Sequence, residues 1–293
     1  MKIKVLALLV LSFISFSCTD EDDNQVIVEE PQLIIKFKFD PTQIRLNNIG
    51  QPATLPAGNA AQSPIFNSIS AHYLEFTPNA MTQVGQGSVL YTGPSTTLGG
   101  ANAIDFSQAK IVGEGEAFLS IPLKNLSAGS YEYVRVSLSY QNYNINVRAS
   151  GSDYVGTLAS FVGYNNYITT HSVAGNSFVV NDDKLQGYWA FAIPSVGYSA
   201  SGQTPAGATT VPNPIATTSP IPSGSCLVTG KFANNFVVTG NETKNVEVQL
   251  SLSINNSFEW QEVNADGKFE PSAGENVVDM GLRGLIPSFR ILN

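Results

Sequence analysis

Apolar and polar residues alternate along most of this chain with the period of two that half-buried β-strands require, and helical periodicity is almost absent. Leu33, Ile35, Phe37 and Phe39 share one face of an opening strand whose other face carries Ile34, Lys36 and Lys38. The pattern predicts further strands over 68–76, 88–92, 117–123, 131–140, 145–148, 154–162, 167–173, 177–180, 188–193, 226–232, 235–238 and 246–254. After a turn at 126–130, Tyr131, Tyr133, Arg135, Ser137 and Ser139 fall on one side, and Glu132, Val134, Val136, Leu138 and Tyr140 on the other. In the 68–76 strand the same alternation groups His72 with Ser70, Leu74 and Phe76, opposite Ile69 and Ala71. Short strands at roughly ten-residue spacing, separated by Gly, Pro, Asn and Ser, predict an all-β, Greek-key β-sandwich, either one large sandwich or two abutting ones.

Two stretches interrupt the alternation. Residues 52–64 are rich in Ala, Pro, Gly and Asn and read as a long loop. Residues 202–225 hold Pro205, Pro212, Pro214, Pro220 and Pro222 among threonines, a composition that favours extended backbone. The predicted organisation is a leader at 1–17, an acidic flexible tether at 18–31, a β-sandwich domain at 32–201, a Pro/Thr-rich loop or linker at 202–225, and strands at 226–293 that complete the sandwich or form a small second domain.

The leader changes the picture most. Lys2 and Lys4 precede an apolar run from Val5 to Phe16, too short to span a bilayer, and Ser17 and Cys18 close it. A Cys at that point marks a bacterial lipoprotein signal, cleaved before Cys18, which then carries palmitate-type acyl chains as a membrane anchor. The run Thr19-Asp20-Glu21-Asp22-Asp23-Asn24 resembles the surface-export tail of Bacteroidota lipoproteins. That resemblance implies an outer-membrane, lipid-anchored protein on the cell surface, with the periplasmic face as the alternative.

Composition narrows the partners. The chain has 15 Lys and Arg against 23 Asp and Glu, a net charge of -8. No basic stripe is available to neutralise phosphates, which excludes a nucleic-acid partner. Charged residues are only 13% of the chain, so a surface built from hydroxyls and amides is expected. With two cysteines, one of them Cys18, no disulfide framework forms, and Cys226 reads as a small buried hydrophobe rather than a catalytic thiol.

Three constellations carry candidate chemistry. The first is Glu262-Val-Asn264-Ala-Asp266-Gly267-Lys268-Phe-Glu270, with Glu275 beyond it. Oxygens at alternate positions followed by a turn-forming Gly suit Ca²⁺, with Glu262, Asn264, Asp266, the Lys268 carbonyl, Glu270 and Glu275 as ligands. Ala273 occupies the position of the usual bidentate carboxylate, and an Asn-Ala-Asp-Gly hairpin turn without metal is the competing reading. The second constellation mixes rings with amides at strand ends: Tyr140, Tyr143, Tyr164, Tyr167 and Trp189 with their neighbouring asparagines suit a glycan or protein ligand. The third is histidine. His72 lies in a strand and is a weak copper candidate, whereas His171 reads as exposed. Two histidines are few for a zinc or copper site. Gly-x-Ser-x-Gly is absent, and no carboxylate pair stands out for hydrolysis.

Residues 68–79, 136–143 and 260–287 together resemble an uncharacterised family of flavobacterial-type surface lipoproteins, which implies no particular activity. The order of an opening Lys-Phe-Lys-Phe strand, a long loop, a His72-Tyr73 strand and Gly129-Ser-Tyr131 is similar to methanobactin-associated periplasmic β-sandwich proteins. That similarity implies copper handling, with His72 the one matching histidine; Trp189 and Trp260 lie outside the matching segment. The expectation is therefore a non-catalytic binding or structural module for glycan or protein. A periplasmic copper-handling protein is the alternative, and a hydrolase a third reading.

Overall fold

The computed structural model describes residues 30–45, 52–204, 226–282 and 284–293. The leader, Cys18 and most of the tether and of the Pro/Thr-rich stretch lie outside the described residues. The chain is an all-β sandwich. In order, its strands are β1 (Gln32–Asp40), β2 (Asn59–Gln62), β3 (Ile65–Thr77), β4 (Ser88–Thr92), β5 (Ser95–Thr96), β6 (Ala103–Asp105), β7 (Ala117–Pro122), β8 (Gly129–Ala149) and β9 (Ser152–Phe161). They continue as β10 (Asn165–Val173), β11 (Asn176–Leu185), β12 (Tyr188–Ile193), β13 (Tyr198–Gln203), β14 (Cys226–Val238), β15 (Val246–Ser253), β16 (Phe258–Gln261), β17 (Val277–Met280) and β18 (Leu285–Ile291).

β8 organises the molecule. Along one edge it pairs with β3; along the other, its first half pairs with β14 and its second half with β9. This gives a large sheet ordered β13-β12-β9-β8-β3-β4, with β14 joined to β8. A second sheet, β18-β15-β1-β7, closes the main core with Leu33, Ile35, Phe37, Val248 and Leu250 against Leu74, Phe76, Val134 and Val136. Leu33, Ile35 and Phe37 are each 0% exposed, and full burial of each such side chain is worth roughly 1.5–3 kcal/mol.

Two small sheets flank the far half of the large one. β17-β16-β2 seals Tyr143, Ile145, Leu158 and Trp260 on one face, and β11-β10-β6-β5 seals Tyr140, Phe161, Ile168 and Tyr188 on the other. Residues after 225 complete the sandwich, because β15 runs parallel to β1 from Leu33↔Val246 and β14 is hydrogen-bonded to β8.

Several expectations are corrected. The 52–64 stretch contains β2, whose small Ala60 and Ala61 leave no alternation signal yet pair with β16. The predicted strands 131–140 and 145–148 are one strand, and β5, β6, β13, β16, β17 and β18 carried too little pattern to predict. A register shift between Ala71 and Tyr73 moves Leu74 and Phe76 into the core beside Ile69 and Ala71, away from His72. A second shift, between Ser70 and Ala71, sets Tyr140 opposite Ser70 and away from Val136 and Leu138. An extra residue at a bulge reverses the parity of everything after it. His171 is buried, ringed by Phe106, Phe161, Phe178 and Tyr188.

Candidate functional site

One loop gathers two of the predicted ligand-binding tyrosines. Residues 97–102 connect β5 to β6, and Asn102 donates from Nδ2 to the Tyr164 hydroxyl at 3.1 Å. At the same loop, the Ala101 N–H donates to Asp183 Oδ2 at 3.1 Å. Asp183 sits directly opposite Tyr167 across the β10–β11 pair. Asp105 flanks Tyr167 on the other side through the β6–β10 pair. Gly99 makes this approach feasible, since a Cβ there would lie 2.1 Å from Asp183 Oδ1. Tyr164 and Tyr167 are both half-buried, whereas Asn102 and Ala101 are exposed, so the cluster forms a rim rather than an interior.

Below the rim lies His72. Its imidazole meets the Tyr164 ring edge-on at 5.5 Å between centroids. Burial pushes its pKa down to about 4, against the upward pull of the Leu138 backbone. Burial also raises the Tyr164 hydroxyl pKa. His72 belongs to a polar stripe across β3 and β8 in which Ser70, Ser137 and Ser139 are buried. At one end of the stripe Asn67 donates to Asn142 and Asn144 at 2.8 and 3.1 Å, and Thr157 donates to Asn144 at 2.9 Å. At the other end Glu75 accepts from the N–H groups of Gly85 and Gly87 at 3.0 and 2.7 Å, which fastens the 78–87 loop over Tyr73. Val84 packs on Tyr73 there.

The remaining tyrosine candidates do not join this rim. Tyr140 is 5% exposed and Tyr143 1% exposed. They lie in separate cores on opposite faces of the large sheet, so neither ring offers a surface to a ligand. The physical reason is β8 itself, which is covered on both faces along its second half. Trp189 is half-buried at another edge, against the core that holds Trp260. Gly202 leaves room for the Trp189 ring, as a Cβ there would lie 2.8 Å from Cζ2.

The 262–275 segment is closed by its own carboxylates. Glu275 is 4% exposed. Its Oε1 accepts from Val263 N and Asn264 N at 3.1 and 3.4 Å, and its Oε2 from Glu270 N at 2.6 Å. Glu262 accepts from Trp260 Nε1 and Asp266 N at 3.0 and 3.1 Å. Asp266 accepts from Lys268 N at 3.0 Å, and Asn264 donates to Glu270. Lys268 then ties the loop to Asp153 on β9 at 2.9 Å, and Arg148 on β8 holds Glu270 at 3.3 Å. The centre is thus a carboxylate ringed by N–H donors, where a calcium loop points oxygens at a cation. The arrangement fits a central cation poorly and fits the hairpin-turn reading well, with Ala265 and Gly267 both at positive φ.

Among the described residues, no group of three or more His, Cys, Asp and Glu is arranged to hold a metal ion. Sequence reasoning missed Asn102, Asp105 and Asp183. The Asp182-Asp183-Lys184 run inside a strand was the available signal, since charge there interrupts an otherwise alternating segment. The Gly99-Gly100 pair was a loop marker, and its role in admitting Asp183 depends on a contact between residues far apart in sequence. No protein-family model, no curated protein sequence and no solved structure matches the chain.

Proposed function

We propose that this chain is a lipid-anchored, cell-surface binding module without catalysis, and that its ligand is a neutral glycan held at the 97–102 loop. The observation that carries the reading is the convergence of Tyr164, Tyr167, Asn102 and Asp183 around one loop. Tyrosine rings offer flat apolar faces for the C–H faces of a sugar, while amide and carboxylate oxygens accept from its hydroxyls. Asp183 and, beneath it, Asp105 stand on either side of Tyr167, a negative pair that disfavours anionic ligands. The lipid anchor rests on the leader and Cys18.

The test is to probe the purified protein on an array of mixed neutral and acidic oligosaccharides. Binding to neutral glycans that disappears in Tyr164→Ala, with the fold retained by circular dichroism, supports the reading. A silent array, or binding confined to acidic glycans, overturns it.

A further inference from the structure

Edge strands present unpaired N–H and C=O groups, and folded proteins guard them with charge, proline, bulges or shortness. Five strands of six residues or more pair on one side only among the described residues. β18 carries Pro287 and Arg290. β7 ends in Pro122 and pairs with β1 across a register shift. β11 carries Asp182, Asp183 and Lys184, with Asn181 at positive φ. β14 carries Lys231 and a register shift. The fifth, β13, has none of these guards: Tyr198-Ser-Ala-Ser-Gly-Gln203 is uncharged, lacks proline, and pairs with β12 without any shift.

We infer that β13 pairs with β13 of a second copy of this chain, antiparallel, about a two-fold axis at Ala200. The strand is neutral and small enough to face itself without like-charge repulsion. A two-fold axis normal to the sheet keeps each face on its own side, so only residues of like parity become opposite. Centring at Ala200 sets Tyr198 against Gly202 of the partner copy, and Ser199 against Ser201 of the partner copy. Tyr198 is 52% exposed and lies on the same face as Trp189 and Phe191. Trp189 already reaches over Gly202. The incoming Tyr198 ring therefore meets Trp189 across a residue with no side chain, which supplies apolar contact to a strand pair of otherwise small residues. The interface is short, so association is weak and depends on concentration.

The experiment is sedimentation equilibrium on the full chain with Cys18→Ala in every arm, so that no acyl chain drives association. The otherwise unaltered chain should shift from monomer to dimer between micromolar and millimolar concentration. The double variant Ser199→Lys, Ser201→Lys puts like charges directly opposite one another twice and should weaken dimerisation by at least ~tenfold. The double variant Ser199→Lys, Ser201→Asp puts opposite charges in the same places and should restore it. Both pairs of substitutions sit at exposed serines, and circular dichroism confirms that each variant folds. A chain that stays monomeric throughout overturns the proposal, as does one that binds only a peptide from culture medium. A dimer indifferent to the two lysines, or a Lys/Asp variant that stays monomeric, also overturns it.

Discussion

Asp183 and Gly99 come closer than any residue with a side chain at position 99 would permit: a Cβ on Gly99 would stand 2.1 Å from Asp183 Oδ1. This contact locks the 97–102 loop to β11, and through β11 to Tyr167. Gly99→Ala should therefore push the carboxylate aside and cost about 1–3 kcal/mol, a typical overpacking penalty. Urea denaturation gives the stability loss. Asp183→Ala, which removes the obstruction, should make Gly99→Ala nearly neutral in a double-mutant cycle.

Acid should destabilise the fold through its histidines. Burial lowers the pKa of His72 and of His171 to about 4, against an ordinary value of 6.5. Folding thus favours the neutral imidazole. The associated stability is complete above pH 6.5 and is lost as pH falls towards 4, by up to roughly 3 kcal/mol for each histidine. Thermal melting from pH 7 to pH 4 should show this decline. His171→Leu, placed among Phe106, Phe161, Phe178 and Tyr188, should flatten part of it.

The C-terminal loop should ignore calcium and depend on Glu275. With three backbone N–H groups donating to it, Glu275→Ala removes three partly buried hydrogen bonds and should cost about 1–3 kcal/mol. Melting with calcium and with chelator should give the same midpoint. A calcium-dependent rise abolished by Asp266→Ala would restore the metal reading, since a ligand of the folded state must raise the midpoint.

The strand framework was legible because alternation is local. Leu33 to Phe39 announces its buried face without reference to any other part of the chain, and β4 and β12 match the predicted 88–92 and 188–193 to the residue. Bulges were not legible. Nothing in the run from Ser70 to Phe76 signals that one extra residue reverses the faces of Leu74 and Phe76. Tyr140 and Tyr143 read as a surface pair because the sequence does not say which strands will be covered on both sides. The site was half legible for the same reason. Tyr164 and Tyr167 stand beside amides in the sequence, whereas Asn102, Asp105 and Asp183 reach them only through strand pairing and loop contacts.

A glycan seated on the rim of Tyr164, Tyr167, Asn102 and Asp183 should lose affinity when that rim is altered and not when a distant edge is. Isothermal titration of the strongest array oligosaccharide into the unaltered chain, Asp183→Ala and Trp189→Ala tests it most directly. Asp183→Ala should weaken binding at least ~tenfold, equivalent to about 1.4 kcal/mol, while Trp189→Ala, at a separate edge, should leave the affinity unchanged. Equal affinities for the unaltered chain and Asp183→Ala, or a loss confined to Trp189→Ala, would rule out this rim as the glycan site.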